Sequence, residues 1–167
     1  MSTMTEPVDD TETARAIVRP PILFVGGLLL GFGLDHLMRL PFPIERVGSA
    51  HWISAAVAGC FLLAGIALFA AGVRNFSSAG TPVPGTQPTR RLVTGGIHGW
   101  SRNPIYVAMF LIYAAIGLTV RSAWILLLML PIAITMRYGV VAREESYLER
   151  RFGGAYREYK GRARRWL

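Results

Sequence analysis

From residue 50 to residue 73 the chain runs without a single Asp, Glu, Lys or Arg. Few folds accept such a stretch. About 20 apolar residues is what a helix needs to cross the hydrocarbon of a bilayer, where every backbone polar group must be satisfied inside the segment. Three more stretches read the same way: residues 22–40, introduced by Pro20-Pro21; residues 104–120, introduced by Asn103-Pro104; and residues 123–141, which return after only Arg121-Ser122. Proline suits a first helical position because its missing N–H would have no intrahelical partner, and Asn suits the position before it. So short a connection makes the last two stretches an antiparallel hairpin, with Pro131 expected to kink its second arm. Near the end of the first stretch, Asp35 and Arg39 stand four apart and could pair at the membrane interface. The expected fold is therefore all-α, an integral-membrane bundle of four transmembrane helices.

Charge placement orients that bundle. Lys plus Arg number 18 against 10 acids, in a chain that is 52% hydrophobic, so the cations must sit on ends and loops. This argues against a nucleic-acid surface. With four spans, residues before span one, residues 74–103 and everything beyond span four share one side. With Arg137, near the end of span four, counted on that side, it holds all the basic residues except Arg39, Arg46 and Arg121. The excess of cations on cytoplasmic segments then predicts a multi-pass inner-membrane protein with both termini in the cytoplasm. Residues 1–19 are polar and acid-biased and read as a flexible cytoplasmic tail, leaving residues 20–167 as one membrane domain. The lone Cys60 lies in an apolar run and offers neither a disulfide framework nor a metal site, and no metal is expected.

Two segments are neither tail nor span. Residues 74–103 hold Pro82, Pro84 and Pro88, four arginines and no acid, and a loop this long is usually functional when the domain is small. Residues 142–160 are amphipathic, with Leu148, Phe152, Tyr156 and Tyr159 at helical spacing and Gly153-Gly154 as an interruption. They read as a cytoplasmic C-terminal helix. The hairpin brings the start of span three beside the end of span four, so Arg102 to Tyr106 should face Arg143-Glu144-Glu145 across the cytoplasmic mouth. By spacing alone these charges could equally be interfacial anchors.

The run Leu92-Val93-Thr94-Gly95-Gly96-Ile97-His98-Gly99-Trp100-Ser101-Arg102-Asn103-Pro104-Ile105-Tyr106 is followed, after the hairpin, by Glu144-Glu145-x-x-Leu148-x-x-x-Phe152-Gly153-x-x-Tyr156-x-x-Tyr159. Together they resemble the isoprenylcysteine carboxyl methyltransferase family and the related phospholipid N-methyltransferases. The resemblance implies an integral-membrane enzyme that uses S-adenosylmethionine and acts on a lipid-like or isoprenoid acceptor, with a carboxylate as the favoured methyl acceptor. It implies that Arg91, Leu92, Val93, His98, Asn103, Tyr106, Glu144 and Glu145 hold the cofactor, and that Arg102 and Arg162 serve the transfer, Arg162 by orienting the acceptor carboxylate. The chemistry is consistent with those roles: the sulfonium and ammonium of the cofactor suit carboxylates and aromatic faces, and its carboxylate suits Arg or amide donors. His98 stands where the family usually has tyrosine. Rival readings are a phospholipid amine methyltransferase, an NADPH-dependent sterol-type reductase with a similar arginine and tyrosine pattern, and a non-catalytic membrane scaffold.

Overall fold

A computed structural model describes residues 16–42, 50–83 and 89–166. Residues 1–15 of the expected tail and residues 84–88 of the expected loop lie outside these. Helices α1 (Pro20–Leu37), α2 (Ala50–Ser78), α3 (Pro104–Thr119), α4 (Ala123–Thr135) and α5 (Ala142–Arg162) follow one another, with a 3₁₀ turn at Gly96–Gly99 and a π-helical segment at Met136–Val141. No strand occurs among the described residues, where only an isolated parallel bridge joins Ser101 to Arg164.

Three helical runs are long and apolar enough to cross a membrane: Pro20–Leu37, His51–Ser78 and Ala123–Arg162, while α3 is a shorter apolar helix. Large side chains on their outer faces, such as Leu29, Leu63 and Leu130, are exposed, which is the surface a bilayer covers and water would not tolerate. The inner faces meet through small residues. A side chain at Gly27 or Gly31 would collide with Ile132 or Ile125 of α4, and one at Gly65 or Gly72 with Ile112 or Ile105 of α3. These pairings run in opposite residue order, so α1 is antiparallel to α4 and α2 to α3. Around them close Phe24, Phe76, Tyr113, Met136, Val140 and Val141.

Several boundaries differ from the sequence reading, each for a local reason. Helix α1 stops at Leu37 because Met38 turns extended at φ −154°. Arg39 therefore leaves the helix, and no Asp35–Arg39 ion pair forms among the described residues. Helix α2 continues through Ser78, so the first five residues of the expected loop are helical. Pro131 sits inside α4 without ending it. The hydrogen-bond register widens only at Met136, and the run then continues directly into α5. Gly153 breaks the α5 geometry as expected, with φ 52° and ψ −120°.

Candidate active site

The start of α3 and the start of α5 meet at one end of the bundle. Pro104 opens α3, and one turn in, the Tyr106 hydroxyl donates to Glu144 Oε1 at 2.6 Å. Glu144 is buried. It lies beyond the apolar part of its helical run, which ends at Val141. Burial and the neighbouring Glu145 push its carboxyl up to about 7, while the Tyr106 hydrogen bond pulls the other way.

Glu145 is held quite differently. Arg102 Nη2 donates to its Oε1 at 2.9 Å, and Arg165 reaches both oxygens, Nε to Oε1 at 2.9 Å and Nη2 to Oε2 at 2.6 Å. The side chains of Arg102 and Glu145 are 8% and 9% exposed, so this is a largely desolvated pair, strengthened by the planar match of guanidinium and carboxylate. Two adjacent acids on one helix thus serve different ends: one is neutralised by arginines, while the other is held by a phenol among the described residues.

The last residues of the described chain complete the arrangement by lying across the mouth. Arg102 N donates to Arg164 O at 2.8 Å, Arg164 N to Trp100 O at 3.2 Å, and the Asn103 side chain to Arg165 O at 2.8 Å. Asn103 therefore does not cap α3 with its side chain, as its position suggested; its amide fastens the C-terminal strap instead. Across the cleft, Tyr159 Oη donates to His98 O at 2.7 Å, and Tyr147 Oη accepts from Thr89 N at 3.2 Å. Those two bonds bind the loop before α3 to α5. His98 is buried, and burial holds its ring down at about 4, so the imidazole is neutral at physiological pH.

These residues enclose a cleft of about 640 Å³, its open mouth included. Of the residues implicated by the sequence, Leu92, Val93, His98, Arg102, Asn103, Tyr106, Glu144 and Glu145 line it; Arg91 and Arg162 do not. Arg162 is exposed and pairs with Glu158 at 3.5 Å. The lining also contains Phe76, Thr89, Leu148, Tyr156 and Tyr159. The sequence places the two tyrosines on the apolar face of the C-terminal helix, and it passes over Phe76 and Arg165. Phe76 sits where α2 outlasts its apolar run, and Arg165 is one of several arginines near the chain end. Only the fold singles them out.

The lining can be compared with the cofactor that the family resemblance implies. A buried carboxylate at Glu144, which accepts from the Tyr106 hydroxyl, offers a partner for a sulfonium or ammonium, and the rings of Tyr106, Tyr156 and Tyr159 offer aromatic faces. Arg102 Nε is buried without a hydrogen-bond partner among the described residues and remains as a donor for an anionic group. The described residues contain no cluster of three or more potential metal ligands.

A family model described as phospholipid methyltransferase matches residues 53–155, which spans α2 through the first part of α5. An uncharacterized protein of Haemophilus influenzae (strain Rd) is 36% identical over 63 residues, 38% of this chain and the whole of that protein. No solved structure matches the chain.

Proposed function

The chain belongs to the phospholipid methyltransferase family, a membrane methyltransferase family, and from that premise we propose that it transfers a methyl group from S-adenosylmethionine to a lipid-like acceptor at the cleft between α3 and α5. Four spans, α1, α2, α3 and α4 with its π segment, would set that cleft at the cytoplasmic face, as the arginine distribution favours. The observation that carries the reading is the unlike treatment of Glu144 and Glu145. Arg102 and Arg165 neutralise Glu145 and so anchor the strap, leaving Glu144 to face a cationic ligand.

The cofactor supplies an electrophilic methyl group on a sulfonium. Glu144 and the tyrosine rings would hold its cationic part, with Arg102 Nε and the Asn103 amide near its carboxylate. Transfer of this kind needs alignment and exclusion of water more than acid–base chemistry. The strap of residues 163–166 and the apolar walls Phe76, Val93 and Leu148 serve that exclusion.

The acceptor best supported is a phospholipid amine rather than a carboxylate. Arg162, the residue expected to orient a carboxylate, points away to Glu158, and Arg102, the arginine of the lining, is paired with Glu145, with its Nε assigned above to the cofactor carboxylate. A carboxylate acceptor is the second reading, favoured by Arg165, whose side chain is 32% exposed at the mouth. Calorimetry on the purified protein in detergent tests the cofactor: S-adenosylmethionine and S-adenosylhomocysteine should bind and NADPH should not. Binding of NADPH alone would replace this reading with a reductase, and silence for all three with a scaffold. Methyl transfer from labelled donor into vesicles holding either an aminophospholipid or a prenylated carboxylate separates the two acceptors.

A further inference from the structure

Asn75 lies near the end of α2, in the part that the sequence placed in a loop. Its side-chain nitrogen Nδ2 donates to Gly95 O at 2.9 Å and stands 3.2 Å from His98 Nδ1. A backbone carbonyl can only accept, so the atom facing Gly95 must be the amide nitrogen, and the orientation of the amide is fixed. An amide nitrogen can only donate, so the imidazole atom facing it must offer a lone pair. In a neutral ring the single proton then sits on Nε2.

Nearby packing holds this geometry. Gly96 has φ +57°, and a Cβ there would fall 2.5 Å from Asn75 Nδ2, so only glycine lets the loop close onto the amide. Phe76 meets the imidazole at 4.7 Å, edge to face, and Tyr159 Oη fixes the carbonyl of the same histidine. The charged groups of the shared cleft, Glu144, Glu145 and Arg102, are engaged with Tyr106, Arg165 and one another.

We propose that Asn75 is a positioning residue that holds His98 as a neutral imidazole in the Nε2–H form, so that the ring serves the cleft as a hydrogen-bond donor to an acceptor atom of the bound methyl donor. The ligand half of this assignment rests on the cofactor reading above; the tautomer does not. A protonated ring in the same place would repel a sulfonium, and the opposite tautomer would leave the Asn75 N–H facing another N–H.

The test begins without a variant. The chain has three histidines, so ¹⁵N-histidine spectra of the protein in micelles can be assigned with His98→Gln. His98 should show a protonated Nε2 and a bare Nδ1 from pH 8 down to pH 5. A protonated Nδ1 in that range overturns the proposal. Asn75→Asp places an acceptor beside Nδ1 and should turn His98 into an imidazolium at pH 6, whereas Asn75→Leu should leave mixed tautomers. If both spectra match that of the parent protein, Asn75 does not set the proton. For the ligand half, S-adenosylhomocysteine is the probe. His98→Gln, whose amide can stand in for Nε2–H, should bind more tightly than His98→Asn or His98→Phe, which should lose about tenfold, the loss expected for one buried hydrogen bond. Equal affinities across the three overturn the donor role. Silence of the parent protein itself overturns the cofactor reading and the donor role together, while the spectra still decide the tautomer.

Discussion

The two ends of the α3–α4 hairpin are built by opposite means. At the turn, polar groups are satisfied mainly within a few residues: Ser122 Oγ accepts from Ile125 N at 3.0 Å, Thr119 Oγ1 donates to Ala115 O at 2.7 Å, and Ser122 N donates to Gly117 O at 3.0 Å. A long-range bond there is that of Trp124 Nε1, which donates to Met38 O at 2.7 Å. At the mouth the bonds join residues 38 apart for Tyr106–Glu144, 43 for Arg102–Glu145, 61 for Tyr159–His98 and 62 for Asn103–Arg165. The turn is closed mostly by bonds local to it, whereas the mouth exists only once α2, α3 and α5 have met. That difference separates what stabilises a helix from what builds a site.

The largest effect expected at the mouth is that of Glu145→Ala. It strands Arg102, buried with no carboxylate, and releases the grip of Arg165, so a loss of about 3–5 kcal/mol of stability is expected, together with loss of S-adenosylhomocysteine binding. Thermal denaturation in detergent and calorimetry would read both. A variant as stable as the parent would show that the mouth does not depend on this ion pair.

Next comes pH, acting through Glu144. Its folded carboxyl titrates at about 7 against an ordinary 4.5. In the free protein this stabilising contribution is full below pH 4.5 and is lost as pH rises through 7, because the folded state holds a proton that the unfolded chain has released. A cation that binds the carboxylate reverses the preference. Affinity for S-adenosylmethionine should therefore rise roughly tenfold from pH 6 to pH 8, as the ionised fraction grows. Glu144→Gln should flatten that slope, and S-adenosylhomocysteine, which lacks the sulfonium, should show less of it. A pH-independent affinity in the parent protein would remove Glu144 from the cation's surroundings.

Smaller effects belong to the turn. Ser122→Ala removes the cap of α4 and should cost about 1 kcal/mol while leaving ligand affinity unchanged. Arg121 has φ 53°, a left-handed conformation that favours glycine. Arg121→Gly should therefore raise stability by up to about 1 kcal/mol, the relief of backbone strain being partly offset by a freer unfolded chain. If either substitution altered cofactor binding, the two ends would be coupled and the contrast between them would fail.

Much of the molecule was legible beforehand, for reasons that its residues make plain. The charge-free run before Val73, the proline at the start of α3, the break at Gly153 and the two-residue hairpin turn are local signals, and the helices followed them closely. Eight of the ten implicated residues line the cleft: the hairpin by itself brings Arg102, Asn103 and Tyr106 to Glu144 and Glu145, while Leu92, Val93 and His98 are named only through the resemblance. The partnerships were not legible. Nothing in the order Glu144-Glu145 says which acid is neutralised, and nothing near Arg165 separates it from Arg162 or Arg164.

The sequence by itself determined the helices, the apolar surface and the meeting of α3 with α5, since hydropathy, proline and turn length act over a few residues. Only the tertiary structure decided which side chain answers which. Arg165 lies on Glu145 while Arg162 turns outward to Glu158, Asn103 fastens the strap rather than capping its helix, and Asn75 meets His98 from a helix that outlasts its apolar run. Hydrogen bonds and ion pairs depend on ångström distances and on burial, and those are properties of the packed chain.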